Sequence, residues 1–143
     1  MNASKPGRHE LRDHTADVIL YVEAPTLEAL FAEAARGLYA SVGRLAVGAG
    51  REPVLIELFA DRTEDLLRDW LAELLFRFDT SHVVVDDLRF DEFDSHHLLH
   101  ESMAGRLDVA ATVFDREVKA VTYHELAIER SSKGFCVSII LDI

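Results

Sequence analysis

Apolar and polar positions divide the chain into segments of two different periods. Residues 17–24 (DVILYVEA) alternate and read as a strand stopped by Pro25. Leu27, Leu30, Phe31, Ala34, Ala35, Leu38, Tyr39 and Val42 then recur at helical spacing, one apolar stripe of an amphipathic helix. Thr26 is placed to cap it, Glu28 suits the positive end of its dipole, and Gly43 is a natural stop. Residues 43–53 (GRLAVGAGREP) read as a loop and 54–60 as a short strand. Thr63 is the expected cap of a second helix, with Glu64 and Asp65 in its first turn. Leu66, Leu67, Trp70, Leu71, Leu74, Leu75 and Phe78 form its core-facing stripe. Glu64–Arg68 and Glu73–Arg77 are spaced as i, i+4 ion pairs on its wet side. Beyond Asp79 the period becomes that of strands, at roughly 82–90, 96–104, 106–114, 117–129 and 134–142, the last two joined by a hairpin-length link.

The order β-α-β-α followed by a run of strands predicts an α+β domain. Its expected form is a mixed sheet with two amphipathic helices packed on one face. Residues 1–8 read as a flexible tail and 9–143 as a single domain, without repeats or an internal linker. The pairing order of the strands is not encoded in the pattern.

Composition narrows the functional classes. With 26 acidic and 15 basic residues the net charge is −11, which argues against a broad phosphate-gripping surface. Cys136 is the only cysteine; its apolar neighbours suggest a buried, inert thiol, and the absence of a pairing partner fits a reducing compartment. The opening MNASKPGRHE has no apolar signal region, and no run reaches the roughly 18 apolar residues of a membrane span, so a cytoplasmic location is expected.

Three places carry polar groups that the fold does not demand. The first strand opens with Asp13, His14, Thr15 and Asp17, and Asp17 falls on the row of Ile19 and Tyr21. A carboxylate ending a core-facing row is costly unless paired or bound to a cation; the alternative is a frayed strand end in water. At the other end, Asp142 and Ile143 follow the very apolar 137–141. If that strand lies beside the first, Asp17, Asp142 and the Ile143 oxygens form an all-oxygen cluster of the kind that hard divalent cations take. The third place is 117–129 (EVKAVTYHELAIE), where Lys119 is the only lysine between Lys5 and Lys133. Alternation sets it with Val121 and Tyr123, as a surface lysine or as one aimed at a phosphate or a partner's carboxylate. His96, His97 and His100 would converge on a metal only from a helix, and their segment reads as strand, so solvent histidines are expected. No phosphate-binding loop and no nucleophile with its base is recognisable.

Five blocks resemble the archease family in order and spacing: DHTAD (13–17), TLEALFAEAARGLY (26–39), LLRDWLAELLFRFD (66–79), VKAVTYHEL (118–126) and the closing LDI (141–143). The resemblance implies a non-catalytic accessory of the RNA-splicing ligase of tRNA splicing and RNA repair. Such a protein promotes guanylylation of the ligase and multiple turnover, and meets RNA only through it. It further implies a divalent-metal site at Asp17, Asp142 and Ile143, with Ca²⁺ the first choice and Mg²⁺ or Mn²⁺ as alternatives. Lys119 would be needed for ligase activation, and Asp13, His14 and His124 stand in the same motifs as supporting candidates. Two other classes remain open: a stand-alone metal-dependent phosphoester hydrolase built on the same acidic cluster, and an interaction module whose cluster staples the termini.

Overall fold

The apolar rows of two strands and the stripes of two helices account for most of the core. A computed structural model describes residues 6–14 and 17–143, and the side chains of Asp13 and His14 fall outside that description. Strand β1 (Arg8–His14) forms an antiparallel pair with β2 (Asp17–Ala24). Helix α1 (Leu27–Val42) follows, then β3 (Gly43–Arg44), β4 (Val47–Phe59) and helix α2 (Thr63–Ser81). The remainder is β5 (Val83–Val84), β6 (Glu92–Phe93), β7 (His97–Leu107), β8 (Val113–Phe114), β9 (Ala120–Val121), β10 (Glu129–Ser131) and β11 (Gly134–Asp142).

One sheet has the order β1-β2-β11-β10, with β9 also pairing with β11. A second has the order β4-β7-β5, with β6 on β7, and β3 and β8 form a small ribbon. Every described pairing is antiparallel, so the α+β expectation holds while the single sheet of mixed direction is replaced by separate antiparallel sheets. Helix α1 lies chiefly on β2 and β1, α2 on β4, β5 and β9, and the helices pack on each other. Val18, Leu20, Val22 and Ala24 of β2 and Val137, Ile139 and Leu141 of β11 face this core.

Both helical stripes face the core as expected, with Leu27 and Tyr39 of the first only partly buried at its margin. Thr26 caps α1 by accepting the Ala29 N–H at 3.1 Å, and Gly43 ends it. A Cβ at Gly43 would collide with the Val113 carbonyl and come within 2.9 Å of the Phe114 Cα, so the close crossing of β3 and β8 requires glycine. The expected Thr63 cap does not form: Arg62 holds the cap position without a side-chain bond, and the Thr63 hydroxyl donates to the Ser95 carbonyl at 2.9 Å. Trp70 is fully buried and its Nε1–H donates to the Phe31 carbonyl at 3.1 Å, tying α2 to α1.

Other expectations shift. Arg8–His14 is a strand, although almost wholly polar. It is held by the Arg8–Glu23 ion pair, by Arg8 and Arg12 flanking the Tyr21 ring at 5.5 and 5.2 Å, and by His9 Nδ1, 2.6 Å from Glu33 of α1. Most of the supposed 43–53 loop belongs to β4, which absorbs its glycines in a register irregularity between Val47 and Arg51. Only Val83–Val84 of 82–90 pairs as strand; the 106–114 segment ends β7 and turns at 109–111; and 117–129 holds only β9 and the start of β10. His100 is fully buried rather than solvated. Its Nδ1 donates to the Arg89 carbonyl at 2.7 Å and its Nε2 accepts from the Ser102 hydroxyl at 2.8 Å, while His96 and His97 point elsewhere. Cys136 is half-buried, in register with Glu23 and Glu129, and not deep in the core.

Candidate functional site

Antiparallel pairing of the first and last strands brings together groups from both ends of the chain. Asp142 of β11 stands directly opposite Asp17 of β2; on either side the row continues to His14 of β1 and Ala120 of β9. The Lys119 N–H donates to the Asp142 carbonyl at 2.7 Å, and the Thr122 N–H to the Ile140 carbonyl at 3.0 Å. Four strand ends therefore meet at one edge of the sheet, joined by main-chain hydrogen bonds.

The face differs from the expected one. In β2 the buried row is Val18, Leu20, Val22 and Ala24, so Asp17 sits with Ile19 and Tyr21 on the outer, half-exposed row. Asp142 occupies the corresponding outer row of β11 and is exposed, and Ile143 is half-buried against the core. Desolvation of Asp17 is thus not the driving argument. Directly opposite residues share a face with Cβ atoms about 5 Å apart, where like charges repel, and a cation between the two carboxylates would reverse that sign. Among the described residues no group of three or more His, Cys, Asp or Glu converges to hold a metal. A cation here would draw on two carboxylates and Ile143 main-chain oxygens, with water filling the shell; these are hard donors that suit Ca²⁺, Mg²⁺ or Mn²⁺ and fit poorly with zinc.

Lys119 is exposed, and among the described residues its ammonium forms no ion pair. It does not share a face with a buried Val121 along a continuous strand, because β9 spans only two residues and Val118 and Val121 are both buried. The chain then leaves the sheet in a turn, with the His124 N–H donating to the Thr122 hydroxyl at 3.3 Å and the Leu126 N–H to the Tyr123 carbonyl at 3.1 Å. Glu125 in that turn has φ 51°, left-handed backbone that a side chain disfavours. His124 is exposed, its ring 4.0 Å from the Glu125 carboxylate.

Helix α2 holds this turn in place. The Arg68 Nε–H donates to the Val121 carbonyl at 3.2 Å, and its guanidinium lies 4.5 Å from the Tyr123 ring centre. The Tyr123 hydroxyl donates to Asp69 at 3.4 Å, and Glu64 accepts the Ile128 N–H at 3.1 Å. The expected Glu64–Arg68 pair is replaced by these contacts, whereas Glu73–Arg77 forms at 2.9 Å. Sequence reasoning missed the clamp because its members look like ordinary charges on the wet side of a helix.

An α+β domain with an acidic strand-end tip beside an exposed lysine is the class that fold and site define. The model of the Archease protein family matches residues 9–143. The archease of Methanosarcina barkeri is 29% identical over 145 residues, covering 99% of both chains. That of Archaeoglobus fulgidus is 32% identical over 139 residues, covering 95% of this chain and 99% of its own. The solution structure of Methanobacterium thermoautotrophicum protein 1598 superposes with a TM-score of 0.70 at 31% identity, covering 94% of this chain and 98% of that one. A Thermotoga maritima crystal structure, described as an archease and possible chaperone, shares the fold with a TM-score of 0.68 at 21% identity, over 94% of this chain and 99% of its own. The chain belongs to the archease family. No helix among the described residues is long and apolar enough to cross a membrane.

Proposed function

We propose that this protein activates an RNA-splicing ligase, promoting its guanylylation and multiple turnover, and does so in the cytoplasm without catalysing a reaction of its own. The observation that carries the reading is the pairing of Asp17 with Asp142 at an exposed sheet edge, with Lys119 hydrogen-bonded through its main chain to Asp142. Asp17, Asp142 and the Ile143 main-chain oxygens would hold a divalent cation, Ca²⁺ first, and that ion would supply a fixed positive charge at the tip. Lys119, not engaged by a described carboxylate, carries an exposed ammonium that suits a phosphate or a carboxylate of the ligase site. The clamp from α2 keeps the segment carrying Lys119 in register with that tip. His124, and by motif Asp13 and His14, stand close in sequence as supporting groups. Net charge of −11 accords with RNA being held by the ligase.

The experiment is guanylylation and turnover by a purified RNA-splicing ligase at substoichiometric concentration with GTP. Wild-type protein should stimulate, and Lys119→Ala should fail to stimulate while retaining fold and cation binding. Equal stimulation by both would make Lys119 a surface lysine. Phosphoester hydrolysis by the protein alone, without stimulation of the ligase, would favour the hydrolase.

A further inference from the structure

The segment that leads into Lys119 crosses, at residues 114–118, between the end of α1 and the last turns of α2. It closes one side of a groove of about 400 Å³. Val42, Leu75, Phe78 and Val118 form an apolar floor, nearly buried, and Phe114 stands as a wall with 51% of its surface exposed. Three carboxylates, Asp79, Asp115 and Glu117, ring the opening. None of the three forms an ion pair among the described residues, and the neighbouring Arg116 guanidinium is spent on the Ser41 carbonyl at 2.5 Å. Partial burial, and then the nearby Glu117 charge, push the Asp79 carboxyl above the usual range.

The wall is rigid. The Asp115 N–H donates to the Val42 carbonyl at 2.8 Å, and Phe114 pairs with Gly43, where only glycine admits so close a crossing. An exposed aromatic face is therefore held beside unneutralised carboxylates, over an apolar floor. That combination is complementary to one side chain above others. An arginine lays its aliphatic stem on apolar surface, stacks its planar guanidinium on an aromatic ring and donates in fork geometry to carboxylates.

We propose that this groove docks an apolar segment of a protein partner through an arginine side chain, received between Phe114 and the carboxylates of Asp79 and Glu117. Charge complementarity selects the occupant: the groove offers negative charge and an aromatic face, and a segment of apolar residues around one arginine answers both. The inference goes beyond ligase activation and stands without it.

The test is an NMR shift titration of the full chain with acetyl-Leu-Arg-Leu amide, with its citrulline analogue and with agmatine. The arginine peptide should shift Val42, Leu75, Phe114 and Val118 saturably. The citrulline peptide, equal in shape and uncharged, should bind about tenfold more weakly, the loss expected for one charge-assisted contact. Asp79→Asn with Glu117→Gln should give a similar loss, and Phe114→Leu, which keeps an apolar wall without a π face, supplies a second variant if the first folds poorly. Equal binding of both peptides, or no shifts at these residues, would overturn the proposal. Agmatine matching the peptide would overturn it too, by marking a small-cation pocket in place of a docking groove.

Discussion

Asp142→Asn should change stability in opposite directions with and without a divalent cation. The substitution preserves shape, and the Asp142 main-chain bond to Lys119 does not involve the carboxylate. Asp17 and Asp142 are direct cross-strand partners on the outer row of an antiparallel pair. A like-charged pair in that relation costs roughly 0.2–1 kcal/mol. In EDTA the variant should therefore melt higher than wild type by about 1–3 °C for a chain of this size. In 1 M salt the difference should shrink, because a Debye length of about 3 Å is shorter than the separation. With Ca²⁺ at about a hundred times its dissociation constant, wild type should gain about 2.7 kcal/mol. That corresponds to about 8 °C. The variant, with one charged ligand gone, should gain far less, so the order of melting temperatures inverts.

The assay is thermal unfolding by circular dichroism at four conditions: either protein, in EDTA or in CaCl₂. Equal Ca²⁺-induced gains in both proteins would refute a cation at this edge. A variant that melts lower than wild type in EDTA would refute the repulsion itself, and would mean that the Asp142 carboxylate makes a stabilising bond in the free protein.

Arg68→Ala should release the turn after β9, removing a hydrogen bond and a cation–π contact worth together about 1–2 kcal/mol locally. Hydrogen exchange of residues 120–129 should quicken with little change in global melting, and unchanged protection there would show that α2 does not hold the segment. Asp91 accepts the Glu101 N–H at 2.8 Å, and that bond, aided by Arg89, holds its carboxyl below the usual range. A lowered folded-state value means stability present above the unfolded pKa and lost as pH falls through the folded one. Asp91→Asn should accordingly lower the urea midpoint at neutral pH and leave it unchanged at a pH below both values; an equal deficit at both would assign the loss to packing.

The helical stripes were legible because burial repeats at 3.6 residues, and Trp70, Phe31 and Leu74 all follow it. Strand β1 was not, because its stability comes from Arg8, Arg12 and His9 finding Glu23, Tyr21 and Glu33 across the fold, contacts that carry no apolar period. Short strands such as Ala120–Val121 escape any local pattern, since β11 defines them by offering its edge. The α2 clamp and the arginine-shaped groove are assembled from segments far apart in sequence, so neither leaves a motif.

The acidic tip is the instructive case. Two carboxylates ending apolar strands left the meeting of Asp17 and Asp142 conditional on those strands being neighbours, and the antiparallel register of β2 and β11 supplies that condition. Their face was also present in the sequence. In β2 one row is Val18, Leu20, Val22 and Ala24, and the other is Asp17, Ile19, Tyr21 and Glu23. Only the first can enter a core without burying charge, so the second must face outward. An inward pair would make the carboxylates a structural staple sealed from any partner. An outward pair leaves them at the solvent edge, where the carboxylates, any cation they would hold and the ammonium of Lys119 are all open to the outside. The alternation that keeps the core apolar is thus what makes this end of the sheet available to another molecule.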